Sequence, residues 1–187
     1  MIKLVYPIYT DKVFYTSDIG KFKVQVARVK IKKINPIIKI KVYKIRLNKN
    51  NFNKIINDYD YVVDGSDNFK TKFLLNDFCL KFKKVLVTGA ISKFDGHIFT
   101  FNFKSKKVPC LRCFFQESEI SDDILDCESE GILGTVAGIA GTIQANEVIK
   151  KILNIGAGLD GYIFILDLLH LRFRKVKLNK RKNCICK

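Results

Sequence analysis

The chain has 187 residues, 48% of them hydrophobic, and a formal net charge of +16. This length suits one domain, residues 1–187, whose apolar side chains suffice for a sizeable core without disulfide bonds. No run of 18 apolar residues occurs, and the first residues, MIKLVYPIYT, do not have the pattern of a signal peptide. We therefore expect a cytoplasmic protein without a membrane span.

The positive charge has two explanations. One is binding to nucleic acid or to an anionic membrane, and the other is a bias of the whole sequence toward Lys, Ile and Asn. We favour the bias, because lysines occur in predicted strands, helices and loops and because no RNA-binding motif such as RNP1 is present. A true basic patch would also suit an acidic protein partner.

In chain order, the first half alternates predicted helices and strands. Apolar spacing predicts a helix over 18–35 with Asp18 as its N-cap and Asn35-Pro36 at its end. The elements predicted next are a strand over 37–47, a helix over 52–58, a buried parallel strand over 60–65, a helix over 68–83 and a buried strand over 85–90. This alternation indicates a Rossmann-like α/β sheet that is mostly parallel.

The second half predicts antiparallel strands added to that sheet. Residues 94–103 alternate around Asp95-Gly96, which indicates a hairpin, and residues 162–178 indicate a second one. Between them lie a long polar segment, 104–130, and a helix rich in Gly and Ala, 131–153. A polar segment of this length inside a domain is usually functional or disordered.

Two carboxylates, Asp64 and Asp67, follow the buried strand and precede a helix. Open α/β sheets bind ligands at the carboxyl ends of their strands, so these side chains could hold Mg²⁺ or orient a nucleotide. The alternative is structural: Asp67 caps the helix and Asp64 closes the turn. Spacing alone leaves both interpretations open.

Four of the six cysteines form two close pairs, Cys110 with Cys113 and Cys184 with Cys186. Four thiolates could bind a tetrahedral Zn²⁺, although the C-x-C spacing of the second pair is tighter than usual. The alternative is a set of free, reduced thiols. Cys127 precedes the 131–153 helix, whose N-terminus would lower its pKa, while neighbouring carboxylates act in the opposite direction. Cys79 lies on an apolar helix face and is expected in the core.

Several segments together resemble the MoeB/ThiF/HesA family of ubiquitin-activating-enzyme-like adenylyltransferases. They are DIGKFKV (18–24), INP (34–36), DYDYVVDGSDNFKTKFLLND (58–77), VTGAISKFDGHIFTF (87–101), PCLRC (109–113), CESEGILGTVAGIAGTIQANEVIK (127–150) and FILDLLHLRFRKVKL (164–178). They occur in the family's order and spacing over nearly the whole chain.

The resemblance implies an enzyme that uses ATP to adenylylate the C-terminus of a ubiquitin-like sulfur carrier ending in Gly-Gly. Asp67 then matches the acidic residue that engages Mg²⁺ and ATP, and Lys23 matches a lysine near the phosphates. Asp64 and Asn68 belong to the same nucleotide-binding segment. Cys127 matches a cysteine that handles sulfur or an acyl intermediate in some members. The two cysteine pairs match structural zinc ligands, and members usually form homodimers.

The sequence also departs from the family. Before position 18 the family has a strand, a G-x-G-x-x-G loop that cradles phosphates, and a second strand followed by S-N-L-x-R-Q. Residues 1–17 contain no Gly, Arg or Asn, and we expect no G-x-G-x-x-G loop in this chain. The sheet would then lack its first βαβ unit. A non-catalytic remnant or partner-binding subunit that keeps the zinc site and the dimer surface is the alternative function.

Overall fold

The computed structural model describes residues 3–4, 14–105, 108–115 and 132–186. Its centre is one six-stranded sheet in the order β1–β2–β3–β4–β5–β6. The strands are β1 Lys3–Leu4, β2 Tyr61–Asp64, β3 Val85–Ser92, β4 Asp95–Asn102, β5 Tyr162–Asp167 and β6 Arg172–Lys177. β1, β2 and β3 pair in parallel, and the remaining three neighbouring pairs are antiparallel.

Helices cover both faces of the sheet. They are α1 Lys23–Ile34, α2 Phe52–Ile56, α3 Phe69–Lys81, α4 Leu111–Phe114 and α5 Gly134–Leu153. Consecutive residues of β3 show the two layers, since Leu86 joins a core cluster with α3 and Val87 joins one with α5. Within the described ranges, none of these helices is both long and apolar enough to cross a membrane.

The predicted α/β class is confirmed, as are the buried strands at 60–65 and 85–90 and the hairpin over 162–178. The antiparallel addition in the second half is confirmed too, and it is the larger part of the sheet. Only two of the five neighbouring pairs are parallel. The carboxyl end of β2 therefore lies next to the boundary between a parallel section, β1–β3, and an antiparallel section, β3–β6.

The strand predicted over 37–47 is wrong, because this segment lies outside the described sheet. The edge of β2 that it would need is occupied by Lys3–Leu4. Its alternation still has a structural consequence, since Tyr43 and Leu47 pack against the core cluster around Phe52. Alternation alone did not specify a strand partner, and other apolar residues of the segment, such as Ile37 and Ile45, are exposed.

Two predicted boundaries also differ from the structure. Asp18 does not cap α1: the helix begins at Lys23, after Gly20 with φ of +81°, a left-handed conformation that interrupts the helix. The hairpin turn is at Lys93-Phe94 rather than at Asp95-Gly96, because Ser92 pairs with Asp95. Gly96 lies within β4, where a Cβ atom would come within 3.0 Å of the Leu166 side chain.

The expectation that the chain has no G-x-G-x-x-G is wrong for the literal pattern, which occurs once, at residues 156–161. The structure places it between α5 and β5, the reverse of the strand–loop–helix order in which such loops bind phosphates. Gly156 and Gly161 have φ of +66° and +74°. The helix itself ends at Asn154, whose φ is +52°, and the glycines belong to the connection between that cap and the next strand.

Candidate functional site

The carboxyl end of β2 is built around the buried carboxylate of Asp64, which is 1% exposed. Its Oδ1 accepts hydrogen bonds from the Ser66 backbone N–H at 2.8 Å and the Ser66 hydroxyl at 2.6 Å. Its Oδ2 accepts from the Thr88 hydroxyl at 2.6 Å and from Lys72 Nζ at 3.2 Å. These four bonds use the carboxylate's acceptor capacity, so Asp64 closes the turn rather than facing a ligand.

Lys72 is a buried cation that sequence reasoning missed. It is 4% exposed, and its ammonium bonds both Asp64 and the Gly89 carbonyl oxygen. From the opposite face of the sheet, Gln144 of α5 donates to the Asp64 carbonyl oxygen at 2.9 Å. A charged residue at an apolar-periodic position of α3, one turn after Asn68, was the signal that could have identified Lys72.

Asp67 differs from Asp64 in being exposed to solvent. Its Oδ1 accepts a hydrogen bond from the Asn68 amide at 2.9 Å. The helix cap is Asn68, whose side chain accepts from the Thr71 backbone N–H at 2.9 Å. Asp67 is therefore not the cap, and its carboxylate faces solvent at the strand end where α/β sheets bind ligands.

Lys23 is exposed at the first position of α1. Within the described ranges no hydrogen bond or ion pair links it to Asp64 or Asp67. Cys127 lies outside the described residues. The structure therefore brings together Asp64, Asp67 and Asn68 of the predicted nucleotide segment, and leaves Lys23 as a separate surface cation.

The four paired cysteines converge. The Sγ atoms of Cys110, Cys113, Cys184 and Cys186 all lie within 4.8 Å of one another. Two of the separations, Cys110 to Cys184 and Cys113 to Cys186, are 3.4 Å, too long for a disulfide bond. Tetrahedral zinc with bonds of about 2.3 Å places its sulfurs about 3.8 Å apart. The residues present therefore fit a four-thiolate metal site despite the tight C-x-C spacing.

The protonation of these thiols is set by burial and by local donors. Burial raises the pKa of Cys186 to about 12 and that of Cys110 far above its usual range. Burial raises the pKa of Cys113 as well, but backbone hydrogen bonds at Cys110 and Arg181 outweigh it, so the net pKa is lowered. Because thiolates are the ligands of zinc, metal binding at this cluster releases protons.

The cysteine cluster is attached to the rest of the site through α3. The buried Asn76 side chain accepts from the Leu111 backbone N–H at 2.9 Å. Asp77 receives two hydrogen bonds of 2.8 Å from the Arg112 guanidinium, which also lies 4.4 Å from the centroid of the Phe73 ring. Sequence reasoning missed these anchors, because only the fold brings residues 35 positions apart into contact.

The family model described as the ThiF family matches residues 11–187. The chain is 33% identical over 180 residues to the sulfur carrier protein adenylyltransferase of Thermus thermophilus, covering 95% of this chain and 66% of that protein. It is 40% identical over 167 residues to a probable molybdopterin-synthase adenylyltransferase of Pyropia yezoensis, covering 89% of this chain and 44% of that one.

A structural relative has the same fold at low sequence identity. The crystal structure of E. coli MccB with ATP matches with a TM-score of 0.76 and 17% identity, over 94% of this chain and 53% of that chain. The fold, the family model and the relatives agree, and the chain belongs to the ThiF family. It spans about half to two thirds of the length of these relatives.

Proposed function

We propose that this chain acts in the ATP-dependent adenylylation of the C-terminal carboxylate of a ubiquitin-like sulfur carrier ending in Gly-Gly. The observation that carries the proposal is the exposed Asp67 carboxylate, held at the end of β2 by the Asp64–Ser66–Lys72 network. The names of the relatives, one of which is a sulfur carrier protein adenylyltransferase, support it. We treat residues 1–187 as one domain.

A free carboxylate is a poor electrophile. In adenylylation its oxygen attacks the α-phosphorus of ATP and pyrophosphate leaves, which gives a mixed anhydride with AMP as a good leaving group. Magnesium and ATP supply the phosphoryl chemistry when bound. In our proposal Asp67 holds the metal ion, Asn68 keeps the Asp67 carboxylate in place, and Lys23 offsets phosphate charge. Asp64, which the sequence predicted as part of the same site, has the supporting role of fixing the loop.

We assign zinc to the cluster of Cys110, Cys113, Cys184 and Cys186, as a structural ion that joins the C-terminal end of the chain to the 108–115 segment. We also propose that the protein is cytoplasmic and works as a homodimer, as the family resemblance implies. The carriers that the resemblance implies serve molybdopterin, thiamine or tRNA-thiolation pathways.

Cys127 is our candidate for the step after adenylylation. Its thiolate would attack the activated carbonyl to form a thioester and release AMP. Alternatively, Cys127 would first take a sulfane sulfur from the persulfide of a donor protein, and that sulfur would attack the same carbonyl and release AMP. We expect Cys127 to be alkylated first in the native protein, because Cys79 is fully buried and the other four cysteines form the cluster. Mass spectrometry after brief alkylation tests this, and earlier labelling of Cys79 would contradict it.

The alternative is a partner-binding subunit without ATP turnover. The only literal glycine motif of the chain has the wrong structural context for phosphate binding, and this observation favours the alternative for the chain on its own. Each missing charge-assisted hydrogen bond to phosphate costs roughly 1.5–3 kcal/mol, so several of them weaken ATP binding by orders of magnitude.

Carrier-dependent ATP–pyrophosphate exchange separates the two functions. We would compare the 187-residue chain with a fusion in which the glycine-loop segment of the Thermus thermophilus relative precedes residue 14. We expect little exchange from the chain alone and clear exchange from the fusion, abolished by Asp67→Asn. Asp58→Asn, which removes an exposed carboxylate before β2 and away from the nucleotide segment, is the matched control. A folded fusion that remains inactive would support the non-catalytic alternative.

A further inference from the structure

The positive charge is concentrated in one part of the chain. Residues 19–57 contain twelve Lys and Arg and no Asp or Glu, so they carry a charge of +12. Residues 58–105, of similar length, contain seven basic and six acidic residues and carry +1. The expectation of an even bias is therefore wrong, because a bias toward lysine adds cations everywhere but does not remove acids from one segment.

Nearly all of this charge faces solvent. Ten of the twelve basic side chains are exposed, and the other two, Lys30 and Lys32, are half-buried. Asp18, just before the segment, pairs with Lys21 and Lys30. The Lys44 ammonium lies 4.5 Å from the centroid of the Phe22 ring, so the segment after α1 returns to the start of that helix. We call the exposed side chains of residues 19–57 the basic surface.

The basic surface also exposes aliphatic side chains. α1 has one buried residue, Val26, whereas Val29 is 57% exposed, Ile34 84% and Ile37 87%. These exposed aliphatic side chains lie on α1 and just after it, interspersed in sequence with the lysines, and they offer apolar contacts to a partner. Exposed lysines are well solvated whether or not a partner binds. The exposed aliphatic side chains are therefore the more informative feature.

We propose that the basic surface docks an acidic protein whose contact face carries aliphatic side chains among its Asp and Glu residues. Charge complementarity requires an anionic partner. Nucleic acid is disfavoured, because single strands are bound by stacking on aromatic rings, and the one exposed ring of residues 19–57, Phe22, is already covered by the Lys44 ammonium. Two copies of this surface would repel each other. The inference rests on charge and exposure, and does not depend on the proposed adenylylation.

Three labelled probes of equal length and similar negative charge test the proposal by fluorescence anisotropy. One is an acidic peptide containing Leu and Ile, the second has Ser at those apolar positions, and the third is a single-stranded RNA. We expect the full chain to bind the apolar acidic peptide about tenfold more tightly than the serine peptide. Its affinity should fall with added salt, as for any charged interface.

Three triple variants, each checked for unchanged folding by circular dichroism, separate the contributions. Val29→Ser/Ile34→Ser/Ile37→Ser should weaken binding of the apolar acidic peptide about tenfold and leave binding of the serine peptide unchanged. Lys33→Gln/Lys39→Gln/Lys41→Gln should weaken binding of both peptides. The matched control, Lys83→Gln/Lys177→Gln/Lys182→Gln, should leave both affinities unchanged. Tighter binding of RNA than of either peptide would overturn the proposal, as would equal affinity for the two peptides or no binding of either one.

Discussion

Two neighbouring stretches of similar length, residues 19–57 and 58–105, use their polar side chains in opposite ways. The first carries +12 and exposes ten of its cations. The second carries +1 and buries Asp64 with its hydrogen-bond donors Lys72 and Thr88, and Asn76 with the Leu111 backbone N–H. Buried polar groups must be paired, whereas exposed ones interact with water and contribute little to stability. The comparison places the buried polar network and the Asp67 carboxylate in 58–105 and the concentrated exposed charge in 19–57.

The largest expected effect concerns the cysteine cluster that 58–105 anchors through Asn76 and Asp77. We expect about one zinc per chain by metal analysis, and loss of that zinc in Cys110→Ser. A four-thiolate zinc contributes on the order of 10 kcal/mol of apparent binding free energy, so the variant should also unfold at a lower temperature. Cys79→Ala, which removes a buried thiol outside the cluster, should keep the metal. Zinc-free protein with four reduced thiols would contradict the site.

The next effect concerns the buried ion pair between Lys72 and Asp64. Lys72→Met leaves the Asp64 carboxylate without its cation and should lower the free energy of unfolding by about 3–5 kcal/mol. Lys33→Met on the basic surface is the matched control and should change it by less than about 0.5 kcal/mol. Urea denaturation monitored by circular dichroism measures both. Equal losses of unfolding free energy in Lys72→Met and Lys33→Met would show that the cations of 58–105 and 19–57 do not differ in their contribution to stability.

A smaller effect is expected where the contact between α3 and the 108–115 segment is only half-buried. Asp77→Asn weakens the two-bond contact with Arg112, whose side chain is 21% exposed. Because solvent screens this pair, the free energy of unfolding should fall by only about 1 kcal/mol. Chemical shifts of the 108–115 amides should move in the same variant. Unchanged shifts there would show that Asn76 alone positions the segment.

The smallest effect lies at the edge of the basic surface. The hydrogen bond and charge of Lys30 lower the pKa of Asp18 to about 2. Because the folded pKa lies below the unfolded one, this stabilisation is present near neutral pH and is lost as the pH falls toward 2. NMR titration should find the pKa of Asp18 shifted back toward 4 in Lys30→Met, with little change in Lys39→Met. A pKa of Asp18 near 4 in the unmodified protein would contradict the ion pair with Lys30.

The fold was largely predictable because its strongest signals are local. The apolar runs at 60–65 and 85–90 and the alternation over 162–178 each specify a strand without knowledge of its neighbours, and the structure confirms them. The strand predicted over 37–47 failed because pairing needs a free edge, which no local pattern reports. The turn predicted at Asp95-Gly96 failed because Gly96 is required for close contact with Leu166 and not for a turn.

The sequence alone determined the types of residue in the candidate site, the charge of each stretch and the two cysteine pairs, because these depend only on composition and spacing. The tertiary structure decided which groups act together. In the folded chain Asp64 accepts hydrogen bonds from Lys72 and Thr88, whereas Asp67 remains exposed. Cys110 contacts Cys184, which lies 74 positions later in the sequence. Such pairings arise from the order of strands in the sheet, so they are absent from any local pattern in the chain.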